Sequence, residues 1–96
     1  MSGAAEPIPG AAVPRLPRGV RLRYDESRAE WILLAPERIL KPDAVALEIL
    51  KRCDGKATLD EIVDGLTAEF GADRSEVAND VREFLGGLVA KRMMDL

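Results

Sequence analysis

Two prolines, Pro36 and Pro42, constrain this chain more than any other feature. They enclose only five residues, Glu37 to Lys41 (ERILK). Proline lacks an amide hydrogen and clashes with the preceding helical turn, so no helix runs through either position. Five residues are also too few for a helix of their own, and the segment reads as a brief strand. Proline at both ends makes it a strand at the edge of a sheet, with unpaired backbone groups on one side.

Everything before this segment has a different period from everything after it. Val20, Leu22 and Tyr24 alternate with Arg21 and Arg23, which is the spacing of a strand with one apolar and one basic face. Asp25 to Arg28 is a polar turn, and Ala29 to Ala35 (AEWILLA) returns as a second strand. Because a lone hairpin is marginal in water, the small sheet must lean on helices. After Pro42 the apolar residues adopt helical spacing. Val45, Ala46, Leu47, Ile49 and Leu50 mark a first helix over about Asp43 to Arg52, which starts either with Pro42 at its first position or with Asp43 as cap. Asp54-Gly55 ends it. Thr58 to Glu61 (TLDE) is a capping-box pattern opening a second helix, with Leu59, Ile62, Val63, Leu66 and Phe70 on one stripe and Gly71 as its stop. Asp73 to Glu76 opens a third, whose stripe is Val77, Val81, Phe84, Leu85 and Leu88. Lys91 to Leu96 reads as a frayed turn or a short extended tail. Three short strands followed by three helices is an α+β arrangement of winged helix-turn-helix type.

Ahead of the domain, residues 1–17 read as a flexible Pro-rich tail or linker, because Pro7, Pro9, Pro14 and Pro17 break helices and central strands. Residues 18–96 form the folded domain. The aromatic residues are Trp31, Tyr24, Phe70 and Phe84, and each is expected in a thin core.

Chemistry is marked by what is missing. The chain has no histidine and one cysteine, Cys53. That removes the commonest general base, the Ser-His and Cys-His pairs, any intrachain disulfide and most zinc and iron sites. Cys53, at a helix C-terminus, reads as a buried structural thiol. The acids on the second and third helices read as solvated faces, without calcium-loop spacing. No catalytic residue, metal or cofactor is assigned. A formal net charge of −3 argues against nonspecific attraction to nucleic acid or anionic lipid. The third helix of a winged helix commonly reads DNA, but here it carries Glu76, Asp80 and Glu83 beside Arg74 and Arg82, without the expected basic excess. DNA binding stays as the alternative function. No apolar run is long enough to span a bilayer, and the expected compartment is the cytoplasm.

Two features remain open at this level. Gly86-Gly87 inside the third helix marks either a bend or early helix end, or close approach by another backbone. The Glu37 to Lys41 edge is either protected by Glu37, Arg38 and Lys41 or is a site for an added peptide strand, with an apolar groove beside it.

The run from Pro14 to Val63 resembles the PqqD family of pyrroloquinoline quinone (PQQ) biosynthesis. The marks are the PRGVR opening at Pro17, the Trp31 to Arg38 segment (WILLAPER) and Cys53 to Val63 (CDGKATLDEIV). The similarity extends to about Met94. It implies a non-catalytic peptide chaperone, the founding type of the recognition element for ribosomally synthesized and post-translationally modified peptides (RiPPs). Such a protein binds the precursor peptide PqqA and presents it to the radical SAM enzyme PqqE. The peptide is expected as an added strand on the third strand, with Glu37, Arg38, Ile39, Leu40 and Lys41 as one wall. Val77, Asp80, Val81, Phe84 and Leu88 of the third helix form the other. The family often has Asn-Pro before the first helix, where this chain has Lys41-Pro42. Some relatives are fused to the enzyme PqqC, which fits residues 1–17 as a former or actual linker.

Overall fold

The computed structural model describes residues 8–96. The elements run β1 (Arg21–Asp25), β2 (Glu30–Ala35), β3 (Arg38–Leu40), α1 (Ala44–Lys51), α2 (Leu59–Phe70) and α3 (Arg74–Ala90). The three strands form one antiparallel sheet in the order β1-β2-β3. The Pro36-Glu37 turn between β2 and β3 leaves β3 with three residues, held to β2 through Ala35 opposite Arg38, Leu34 opposite Ile39 and Leu33 opposite Leu40.

Register decides which face is core. Leu22, Leu33 and Leu40 lie directly across from one another, and alternation puts Trp31 and Ala35 on the same side. Leu33 is fully buried, packed with Ile49, Leu59, Ile62, Val63, Val81 and Leu85 from the helices. Burial of one such side chain stabilises by about 1.5–3 kcal/mol.

Each helix starts where its cap dictates. The Ala46 amide donates to the Asp43 carboxylate at 2.8 Å, so Asp43 is the cap of α1. Thr58 and Glu61 form the reciprocal capping box of α2: Glu61 N–H donates to Thr58 Oγ1 at 3.1 Å, and Thr58 N–H donates to Glu61 Oε1 at 2.8 Å. Gly71 closes that helix in the left-handed conformation, φ 62°. Asp73 caps α3 through the Glu76 amide. Gly86 and Gly87 do not end α3, which continues to Ala90.

Three expectations are corrected. Part of the proposed tail, residues 1–7, lies outside the described residues, but Ile8 to Pro17 is packed on the domain rather than loose. Ile8 is buried and so is Pro14. The carbonyls of Ala12 and Gly10 accept from the Leu59 and Asp60 amides at 2.8 and 3.0 Å, and Pro14 O accepts from Gly55 N–H at 3.1 Å. The first amides of a helix have no partner within it, so this segment completes the start of α2 that the capping box leaves half-served. Arg82 Nε donates to Ile8 O at 2.9 Å, tying the same segment to α3.

The C-terminal residues are not frayed either. Met93 and Met94 are buried, and Asp95 pairs with Arg15. Finally, Tyr24, Trp31 and Phe70 are not core residues. Tyr24 sits beside the hairpin turn and stacks edge-on against Trp31, with ring centroids 5.6 Å apart. Phe70 is the last residue of α2 and stands 57% exposed, beyond the stripe that faces the sheet.

Candidate functional site

β3 is the terminal strand of the sheet, so one side of it pairs with β2 and the other pairs with nothing in the sheet. In an antiparallel strand alternate residues aim both backbone groups outward, leaving donors and acceptors free along that edge. The side chain of Leu40 points from this strand toward α3. There it lines two adjoining concavities of about 320 and 300 Å³, both shared with Asp80 and Phe84. Glu83, Gly87, Leu88 and Lys91 complete the first; Lys41, Pro42, Asp43, Val45, Ala46 and Ile49 complete the second. A third concavity of about 350 Å³ continues between α1, the end of α2 and α3, walled by Val45, Ile49, Leu66, Phe70 and Val77. Asp80 borders all three. The result is a groove with a backbone edge on one side, an apolar floor and a charged rim of Lys41, Asp43, Glu48, Asp80, Glu83 and Lys91.

The ten expected residues fall into distinct places. Leu40, Lys41, Val77, Asp80 and Phe84 meet around the groove. Val81 and Leu88 are 1% and 2% exposed, so they form its floor and the core beneath rather than a free wall. Ile39 projects from the opposite face of the sheet, 68% exposed. Glu37 lies in the turn and Arg38 at the start of the strand; neither lines the three concavities. Lys41 Nζ is 3.4 Å from Glu30 Oε2. Sequence reasoning missed Val45, Ile49 and Phe70. The available signal was that Val45 falls off the buried Ala46, Ile49, Leu50 stripe of α1 and is 63% exposed.

Gly87 opens onto the groove, and a Cβ there would meet nothing within 4 Å. The helix therefore offers bare backbone beside Leu40.

Other chemistry is accounted for within the fold. Cys53 Sγ donates to Ile49 O at 3.3 Å, and burial, reinforced by the neighbouring Asp54 charge, pushes its thiol up to about 12. It is held as a neutral thiol. The cations that a DNA-reading α3 would need are engaged internally. Arg74 Nε donates to Asp64 at 2.7 Å and lies near Asp60, which raises its pKa, and Arg82 serves Ile8. The exposed face of α3 is left with Glu76, Asp80 and Glu83, which repels phosphate. Among the described residues no group of His, Cys, Asp or Glu is placed to hold a metal, and no helix is long and apolar enough to cross a membrane.

Fold and groove together define a winged-helix-like α+β domain with an open strand edge facing an amphipathic helix. Residues 30–94 match the family described as coenzyme PQQ synthesis protein D (PqqD), and the chain belongs to that family. It is 47% identical over 81 residues to a Rhodopseudomonas palustris protein named PqqA binding protein, covering 84% of this chain and 79% of that one. It is also similar to the PqqD truncation of Methylobacterium extorquens PqqCD, solved by NMR and described as a functional, stand-alone RiPP recognition element. Identity there is 43%, with a TM-score of 0.77 and coverage of 92% of this chain and 94% of that one. TbiB1, solved in complex with the TbiA(β) leader peptide, aligns with a TM-score of 0.73 at 28% identity, covering 84% of this chain and 94% of that one.

Proposed function

We propose that this chain is a cytoplasmic, non-catalytic peptide chaperone of PQQ biosynthesis. It holds the precursor peptide PqqA as an added strand on β3 against α3 and presents it to the radical SAM enzyme PqqE. The observation that carries the reading is the unpaired edge of β3 standing beside the groove formed by Leu40, Asp80 and Phe84. Backbone bonds along the edge supply affinity, and the apolar groove selects side chains. Support comes from the relative named PqqA binding protein and from the leader-peptide complex of a protein with the same fold. PqqE as recipient rests on family membership. Association with PqqC, by fusion or in trans, is suggested by the similar domain having been cut from PqqCD.

Calorimetric titration of PqqA into wild type, Leu40→Asp and Phe84→Asp tests the reading. Circular dichroism must show both variants folded, since each side chain also touches the core. Loss of about tenfold or more in affinity is expected for each, as for truncation of an interface anchor. Folded variants that bind as tightly as wild type refute it.

A further inference from the structure

β2 is more apolar than a sheet covered on one side requires. From Trp31 to Ala35 it reads WILLA, without alternation. Such runs belong to strands covered on both faces; a one-sided antiparallel strand alternates. Here only one face meets the helices. Trp31, Leu33 and Ala35 take that side, while Ile32 and Leu34 point the other way. Ile39 of β3 lies across from Leu34 on this outer face. None of Ile32, Leu34 and Ile39 belongs to the core or packs against it.

The charges around these aliphatics are unbalanced. Register sets Arg23 beside Ile32 and Arg21 beside Leu34. The two carboxylates of the same face are each engaged: Asp25 lies 3.8 Å from Arg28, and Glu30 lies 3.4 Å from Lys41. Among the described residues neither Arg21 nor Arg23 has an anion within ion-pair distance. The outer face is thus an apolar strip edged by two free guanidinium groups, in a chain whose formal net charge is −3.

We infer that this face docks a second protein whose surface offers an apolar centre bordered by carboxylates. That protein is the enzyme to which the peptide is presented, so the inference rests on the chaperone reading above. The groove uses the edge of β3 and the helix side of the sheet; the Ile32, Leu34, Ile39 strip is on the opposite side. Peptide and enzyme therefore bind at once without competing. An added strand would extend the very sheet that the enzyme covers, which brings the peptide to the enzyme's margin. A second copy of this chain is a poor occupant: apposed faces bring their arginines together while Asp25 and Glu30 are already engaged.

The test is binding of purified PqqE and, separately, of PqqA to wild type and to an Arg21→Glu/Arg23→Glu double variant. Both positions are exposed, so the fold is preserved. The double variant is expected to lose about tenfold or more in PqqE affinity and to keep its PqqA affinity, and wild-type PqqE binding is expected to weaken as salt rises. PqqE affinity within about twofold of wild type overturns the inference. So does absence of PqqE binding by wild type, or light scattering that shows a wild-type dimer which the double variant does not form. If PqqE binding depends on the two arginines but wild type does not bind PqqA, the chaperone reading fails and the docking face stands.

Discussion

Arg15 and Asp95 exchange both backbone hydrogen bonds: each amide donates to the other's carbonyl at 2.9 Å. This single pair joins the segment that enters the domain to the one that leaves it. Around it lie Pro14, Met93 and Met94, all buried. Removal of residues up to Pro17 is expected to cost about 2–4 kcal/mol, because Ile8 and Pro14 leave the core and the Leu59 and Asp60 amides lose their partners. Urea unfolding monitored by circular dichroism measures it, and an unchanged midpoint contradicts it.

The start of α2 is fastened twice, by the entering segment and by the capping box. Thr58→Ala removes the acceptor for the Glu61 amide and is expected to cost about 1 kcal/mol. Thermal melts check this. A variant as stable as wild type means that the entering segment alone holds the helix start.

Cys53 sets a limit at high pH. Its thiol is raised from 9.0 to about 12 in the folded protein. The folded state holds this proton more tightly than the unfolded one, so the associated stability is complete below about pH 9 and is lost as pH climbs toward 12. Alkylation by iodoacetamide at pH 8 is expected to be slow in the native protein and fast in denaturant. Fast labelling of the native protein contradicts burial of the thiol.

Gly86 and Gly87 separate packing from function. A Cβ at either position meets open space. Alanine at each is expected to stabilise α3 by about 0.5–1 kcal/mol. Only Gly87 borders the groove with Leu40. Gly87→Ala is therefore expected to weaken PqqA binding while Gly86→Ala leaves it unchanged. Equal affinities for the two variants remove Gly87 from the binding surface.

Much of this architecture is legible because local signals and tertiary packing agree. Pro36 and Pro42 isolate the third strand, and Asp43, Thr58 and Asp73 each cap the helix that follows. The entering segment escapes such reading for a physical reason. Gly10, Ala12 and Pro14 contribute carbonyls rather than a periodic apolar face, and a carbonyl is available in any residue type. Met93 and Met94 are too few to show a period. At the site, β3 and the α3 stripe are readable from spacing. The Val45 and Phe70 wall is not: Val45 lies off the core face that helical periodicity identifies, and Phe70 keeps the spacing of that face but sits on the last residue of α2, where the core no longer covers it. The same logic explains why Val81 and Leu88, which sit squarely on the stripe, turn out to be floor.

The central claim is that β3 and α3 receive the peptide together. Its most direct test is titration of 15N-labelled protein with PqqA, following backbone amide shifts. The largest shifts are expected at Arg38 to Lys41 and between Val77 and Leu88, with Gly87 among them. Silence of those amides while others move would contradict the account.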